Sequence, residues 1–256
     1  MKWLQAIQKY WHQQKYAINA KLLGDDAYWA WTNLGYWTAT TQSYPQACRQ
    51  LADHLADAVV LNSNDQLLDL GCGRGASLLH WQNYYQVQKL SAVDLQLQCI
   101  EYLRKNLNSN IQLYCDSFLN LKNILPEKHF DVVLCIDAAY HSPLPLFLDA
   151  IHAVLNSKGR IGFHYLMWSE KWQTLSKRQQ QKYFWLLKSA DVHGQDLSTP
   201  QQTEQMLQAK GFEHIQIDDL SEPVFLGFAD YIAQRKFSGK HDHFLDAFKI
   251  RMTAKL

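Results

Sequence analysis

From residue 66 onward, short apolar runs alternate with stretches whose apolar residues recur every three or four positions. The runs cover 66–70, 90–93, 111–114, 130–136, 160–166 and 214–217, and helical spacing covers 77–85, 97–107, 144–155 and 203–210. Strand-length apolar runs separated by amphipathic helices predict an α/β protein, with a Rossmann-like, doubly wound and mostly parallel sheet covered by helices on both faces. Punctuation supports these bounds. Asn156, Ser157, Lys158 and Gly159 form a turn after the third helix, and Ser198, Thr199 and Pro200 precede the fourth as capping residues.

Two parts fall outside the alternation. Residues 1–60 read as an N-terminal helical lid, with Leu4, Ile7, Tyr10 and Trp11 on one face of a first helix, a loop over 31–41 and a second helix over 44–60. The remainder, 61–256, reads as the core, interrupted at about 167–194 by a polar and aromatic cap insertion. Ligands of doubly wound sheets bind beyond the carboxyl ends of the strands, so both extras are placed to roof a site.

Charge narrows the partners. The chain has 256 residues, with 25 Lys and Arg against 24 Asp and Glu, a net charge of +1. Affinity for a phosphate backbone needs a concentrated basic surface, so nucleic acid is not expected. The five cysteines show no C-x-x-C spacing and read as reduced thiols. No apolar run is long enough to span a membrane, and the first residues lack the pattern of a secretory signal, so a cytoplasmic location without stable membrane insertion is expected. The Lys and Trp pattern at the start also permits contact with a membrane surface. His12 and the His241, His243 pair lack clustered carboxylate partners, so no metal site is expected. Oligomeric state is not legible. The inventory of 9 Trp, 13 Tyr and 11 Phe exceeds what core packing usually needs.

The first run leads into Asp69, Gly71, Gly73 and Gly75, an acid followed by glycines at alternate positions. Glycines there let the chain turn sharply and leave no Cβ between the backbone and a ligand, while the next helix presents unpaired amides. The dinucleotide fingerprint places its third glycine one residue later. Asp94 closes the second run, where a carboxylate can take ribose hydroxyls or cap the following helix. Asp116 and Ser117 close the third run, and Asp137, Tyr140 and His141 follow the fourth.

The stretch from Asp69 to Gly75 resembles the first motif of the class I S-adenosylmethionine-dependent methyltransferases, D/E-x-G-x-G-x-G. The segment from Asn33 through Leu34 and Gly35 to Tyr36 and Trp37 resembles the N-L-G-Y-W element of their small-molecule members, which act on natural-product sugars, macrolides, sterols and tocopherols. The likeness runs over about 31–166. It implies S-adenosylmethionine as cofactor, cradled by Gly71, Gly73 and Gly75 with Asp69 beneath, its ribose at Asp94 beside Leu95, and its adenine at Asp116 and Ser117. Aromatic faces favour a sulfonium cation, and Tyr36 and Trp37 are the expected contacts, with Trp29 and Trp31 read as lid core.

On the acceptor side His141 is the candidate general base, since an imidazole with a pKa of about 6.5 takes a proton near neutral pH. The alternative is a helix-start residue bonded to backbone. Asp137 either polarises substrate or closes a turn. Tyr140, His164 and Tyr165 are candidate substrate contacts, because the acid that several relatives carry after the fifth strand is absent here. The expected reaction is methyl transfer to a small, partly apolar acceptor, a hydroxyl oxygen first. The order Asp137, Ala138, Ala139, Tyr140 also echoes the Asp/Asn-Pro-Pro-Tyr element of amine methyltransferases without its prolines, which keeps a macromolecular or small amine as an alternative. A non-catalytic cofactor-binding scaffold is the third reading.

Overall fold

The structure is a computed structural model that describes residues 19–235 apart from 108, 109 and 128. The expected first helix, with Leu4, Ile7, Tyr10 and Trp11, lies outside the described residues. Five strands, β1 (Gln66–Leu70), β2 (Lys89–Asp94), β3 (Gln112–Cys115), β4 (Phe130–Cys135) and β5 (Leu155–Phe163), form one sheet in the order β3-β2-β1-β4-β5. Every pairing is parallel. The chain steps outward from β1 to β3, then crosses back to β4 and β5. This reversal beside β1 opens a crevice beyond the carboxyl ends of β1 and β4, the usual ligand position in such sheets.

Alternation along the strands sends side chains to both faces, and each face has its own core. Leu67, Leu90, Ala92, Val132 and Leu134 join the first core, packed by α1 (Tyr44–Ala58), α2 (Ala76–Asn83), α3 (Leu97–Asn106) and the last described helix. Leu68, Leu70, Val93, Val133 and Cys135 join the second, covered by α4 (Leu121–Ile124), α5 (Leu144–His152) and part of a later helix. The chain continues through α6 (Lys177–Ser189), α7 (Pro200–Ala209) and α8 (Gly227–Gln234). The helix starts follow local chemistry. Ser43 caps α1 ahead of Pro45, and Thr199 forms a reciprocal capping box with Gln202 at α7.

Two expectations are corrected. The fifth strand starts at Leu155 and ends at Phe163, rather than covering 160–166. The turn residues 156–159 lie inside it as an irregularity: the register shifts between Phe130 and Val132 of β4, and Lys158 takes a left-handed φ of 66°. The sixth run, 214–217, forms no strand among the described residues. His214 takes a φ of 54°, which breaks the extended backbone, and Ile215 packs on the second core instead of pairing beside β5.

Arg160 is set by this irregular strand and locks it to the end of α1. Its Nη1 donates to the carbonyls of Val59 and Val60, both at 2.8 Å, and its Nη2 pairs with the buried Asp65. Arg160→Ala strips a charged donor from two carbonyls and a carboxylate. The arginine side chain is one-third exposed, so water replaces part of the loss, and a destabilisation of about 1–2 kcal/mol in urea unfolding is expected.

Candidate functional site

The crevice at the strand ends is lined from three directions. Gly71 to Arg74 and Ala76 form its floor, Asp94 to Gln96 and Ser117 to Leu119 one wall, and Ile136 to Ala138 with His141 and Ser142 the other, while Ala30 to Asn33 cross over it. Gly71, Gly73 and Gly75 have φ of 76°, 51° and 87°, so the loop runs through backbone that other residues resist. A Cβ on Gly71 would stand 2.7 Å from the Cβ of Ala138, so this turn also sets how closely β1 and β4 hand over to their loops.

Asp69 lies under the loop, 2% exposed, and accepts from the indole Nε1 of the fully buried Trp81 at 2.7 Å. Burial pushes its carboxyl up to about 6, against the lowering pull of hydrogen bonds from Ser77 and Trp81. Asp94 ties two elements together. One oxygen accepts from Gly73 N at 2.8 Å and the other from Gln96 N at 2.7 Å, so it braces the glycine loop and opens α3. Burial raises its pKa as well, more than the two backbone donors lower it.

Asp137 is the third lining carboxylate. It sits at φ 49°, and its Oδ2 accepts from Leu34 N at 2.8 Å, across 103 residues of chain. Burial pushes it up to about 6, with the Leu34 amide and His141 pulling the other way. Its Oδ1 is 3.9 Å from Nδ1 of His164, whose ring nitrogens are buried without hydrogen-bond partners. Burial lowers His164 to about 4, so near pH 7 the pair is a neutral imidazole beside a carboxylate and not an ion pair.

His141 ends a short 3-10 turn, Ala139–His141, and lines the crevice. Its Nδ1 lies 3.1 Å from the carbonyl of Asp191, beyond α6. A carbonyl only accepts, so Nδ1 carries the hydrogen and the neutral ring has its lone pair on Nε2.

Several expected contacts are placed elsewhere. Tyr36 and Trp37 do not line the crevice: Tyr36 stacks on His54 at 5.3 Å, and Trp37 stacks on Tyr231 at 4.3 Å while its Nε1 donates to Leu34 O. The crossing segment that reaches the crevice is Ala30–Asn33, earlier in the chain, because Asn33 and Asp25 fold it. Asn33 accepts from Gly35 N and donates to Cys48 O, while the buried Asp25 accepts from Trp31 N and Ala27 N. Trp31, expected in the lid core, is buried and also lines the crevice. Asp116 is also off the lining. Its oxygens accept from Ser117 N and the Asn120 side chain, capping a turn, while Ser117 and Phe118 form the wall. Tyr140, His164 and Tyr165 stand behind the lining, with the Tyr165 hydroxyl donating to Ser142 O at 2.8 Å. Asp69, Gly71, Gly73, Asp94, Leu95, Ser117, Asp137 and His141 are brought together around the crevice, while Gly75 is off the lining and packs against Leu103 of α3.

Three carboxylates face one guanidinium, Arg74, around the crevice. This excess of carboxylates favours cationic over anionic groups in the crevice. Among the described residues no group of three or more His, Cys, Asp and Glu could hold a metal ion.

A doubly wound parallel sheet with a glycine loop after β1 and acids at the ends of its central strands defines an α/β protein of the nucleotide-cofactor type. Residues 67–159 match the family model described as a methyltransferase domain. Over 136 residues, 51% of this chain, the sequence is 28% identical to erythromycin 3''-O-methyltransferase of Saccharopolyspora erythraea. Over 111 residues, 43% of this chain, it is 25% identical to 27-O-demethylrifamycin SV methyltransferase of Amycolatopsis mediterranei. The matches span less than half of either relative, 44% and 41%. Geranyl diphosphate C-methyltransferase of Streptomyces coelicolor shares the fold, with a TM-score of 0.71 at 12% identity over 95% of this chain and 90% of that one. Residues 67–159 thus resemble a methyltransferase domain, and the fold is one that solved methyltransferases share.

The buried acids make stability depend on pH. Asp69 and Asp137 titrate at about 6 in the folded chain, against 3.8 for an ordinary carboxyl. Between these values the folded state holds protons that the unfolded chain has released, so stability is highest below about pH 4 as far as these two groups act, and falls as pH rises through 6. Asp69→Asn keeps an acceptor for Trp81 without the charge. Urea unfolding at pH 4.5 and 7 is expected to show a fall smaller by on the order of 1–3 kcal/mol in the variant.

Proposed function

We propose that this chain transfers a methyl group from S-adenosylmethionine to a hydroxyl oxygen of a small, partly apolar acceptor, with His141 as general base. The observation that carries the reading is that the glycine loop and His141 line the same acid-rich crevice. When bound, the cofactor supplies an electrophilic methyl group on a sulfonium sulfur. Its fit rests on the lining: Gly71 and Gly73 at positive φ bring backbone without a Cβ to the crevice, and Asp69, Asp94 and Asp137 suit the net positive charge. Gly71 to Gly75 and Asp94 would hold the amino-acid and ribose parts, with Leu95, Ser117 and Phe118 against the adenine.

The protein's own contribution is orientation, exclusion of water and one proton. The Ala30–Asn33 segment roofs the crevice and is held down through Leu34 by Asp137. The Asp191 carbonyl fixes the tautomer of His141, so Nε2 is the acceptor for the hydroxyl proton as the oxygen attacks. Both curated relatives are named for methylation of natural products, which supports a small-molecule acceptor over a macromolecular amine. Tyr140 does not line the crevice, so the amine reading lacks a second observation.

His141→Ala is expected to keep cofactor affinity within about two-fold and to slow turnover by about 10²–10⁴-fold, the span for a lost general base. Calorimetry with the cofactor and transfer of labelled methyl into a fractionated metabolite extract measure the two separately. Full activity in the variant would remove His141 from the role, and label found only in protein or RNA would favour the amine reading. Cofactor affinity should also weaken as pH falls below about 6, because protonated Asp69 and Asp137 no longer attract a cation, and Asp69→Asn should flatten that dependence in calorimetry at pH 5 and 7.5.

A further inference from the structure

The helix α6 carries an outward face that the proposed chemistry leaves unexplained. Trp185 is 60% exposed, more than Phe184 at 42% and Tyr183 at 40%, whose rings also meet Trp172. At helical spacing Trp185 shares its face with Arg178 seven residues before, Lys182 three before and Lys188 three after, all exposed. From Ser169 to Ala190 there are four lysines and one arginine against a single acid, Glu170, in a chain whose net charge is only +1. The inner side of the helix is firmly seated. Phe184 meets Trp168 and Trp172 edge-on at 5.6 and 5.5 Å, the two indoles stack at 3.6 Å, and Leu186 and Leu187 are buried. The aromatic and basic face therefore belongs to a packed helix and not to a loose one.

An exposed indole ringed by long cationic side chains matches the boundary of an anionic bilayer, where the ring lies among headgroups and the cations meet lipid phosphates. A second copy of the chain would bring the same positive face against itself, which charge opposes. No described helix is long and apolar enough to cross a membrane, so contact is limited to the surface. We propose that the outer face of α6, centred on Trp185, docks this protein on anionic phospholipid membranes. The end of α6 leads to Asp191, whose carbonyl holds His141, so the docked helix is joined through that residue to the crevice lining. If the reading of that crevice above holds, the docked enzyme takes its acceptor from among lipid-resident molecules.

The test uses the full chain and sucrose-loaded vesicles, one set of phosphatidylcholine alone and one containing a third phosphatidylglycerol, separated by sedimentation. Binding is expected to the anionic vesicles only and to fall as salt rises from 0.1 to 0.5 M. Lys182→Glu reverses one charge and Trp185→Ala removes the ring, and each should weaken the partition by about five-fold or more. Both sites are exposed, and an unchanged melting temperature shows that each variant is folded. The proposal is overturned if the chain ignores anionic vesicles, if both variants bind as the parent does, or if Trp185→Ala only dissolves a dimer seen in sedimentation velocity. Vesicle binding requires no turnover, so its failure would leave the methyl-transfer reading standing, and inactivity on every acceptor would leave the docking standing.

Discussion

The arrangement of this protein depends on carboxylates placed where parallel strands end. Asp69, Asp94 and Asp137 lie at or just past the carboxyl ends of β1, β2 and β4, and each has lost most of its water. A desolvated carboxylate is tolerated only with donors, and each takes them from a different part of the chain. Asp69 recruits Trp81 from α2, Asp94 recruits the glycine loop and the start of α3, and Asp137 recruits Leu34 from the N-terminal segment. The same bonds that make the acids tolerable hold the floor, wall and roof of the crevice in place. Their raised pKa values show that the donors do not fully offset desolvation.

That economy explains which features were legible in the chain. The order of strands and helices could be read because burial on both faces leaves near-continuous apolar runs, and the glycine loop because positive φ leaves few residue choices. The strand-end acids could be placed in sequence, yet Asp116 shows the limit. It stands where an adenine contact was expected, but Ser117 N and Asn120 lie within reach, and local capping takes both of its oxygens. The His214 strand failed for a related reason, since one left-handed residue ends an extended run without any change in its hydrophobic pattern.

The aromatic surplus is the part least open to pattern reading. Trp37 and Tyr36 look from sequence like cage residues, but a single Asx turn, Asn33 to Gly35, redirects the segment so that Trp37 reaches Tyr231 and Tyr36 reaches His54. Trp31 instead reaches the crevice, positioned by Asp25, an acid 2% exposed that carries no motif. Trp81 is fully buried for its indole N–H as much as its bulk, because a buried acid needs a donor that brings no charge of its own. Such pairings join residues far apart in sequence, and no periodicity records them.

The contact between His141 and Asp191 joins the two halves of the molecule that sequence treats separately. His141 follows β4 in the core, while Asp191 ends the segment after α6 and takes a left-handed φ of 58°. An imidazole whose tautomer is set by a lid carbonyl keeps that setting only while the lid is seated. The lid is seated by stacked Trp168 and Trp172, with Gly194 beside them: a Cβ there would stand 2.6 Å from the Phe184 ring. Close packing of that kind has few alternatives, so the position of Asp191 is set by the aromatic cluster rather than by the loop itself. The residues between 167 and 194 thus act on the crevice without lining it, through one backbone carbonyl and the helix that carries it.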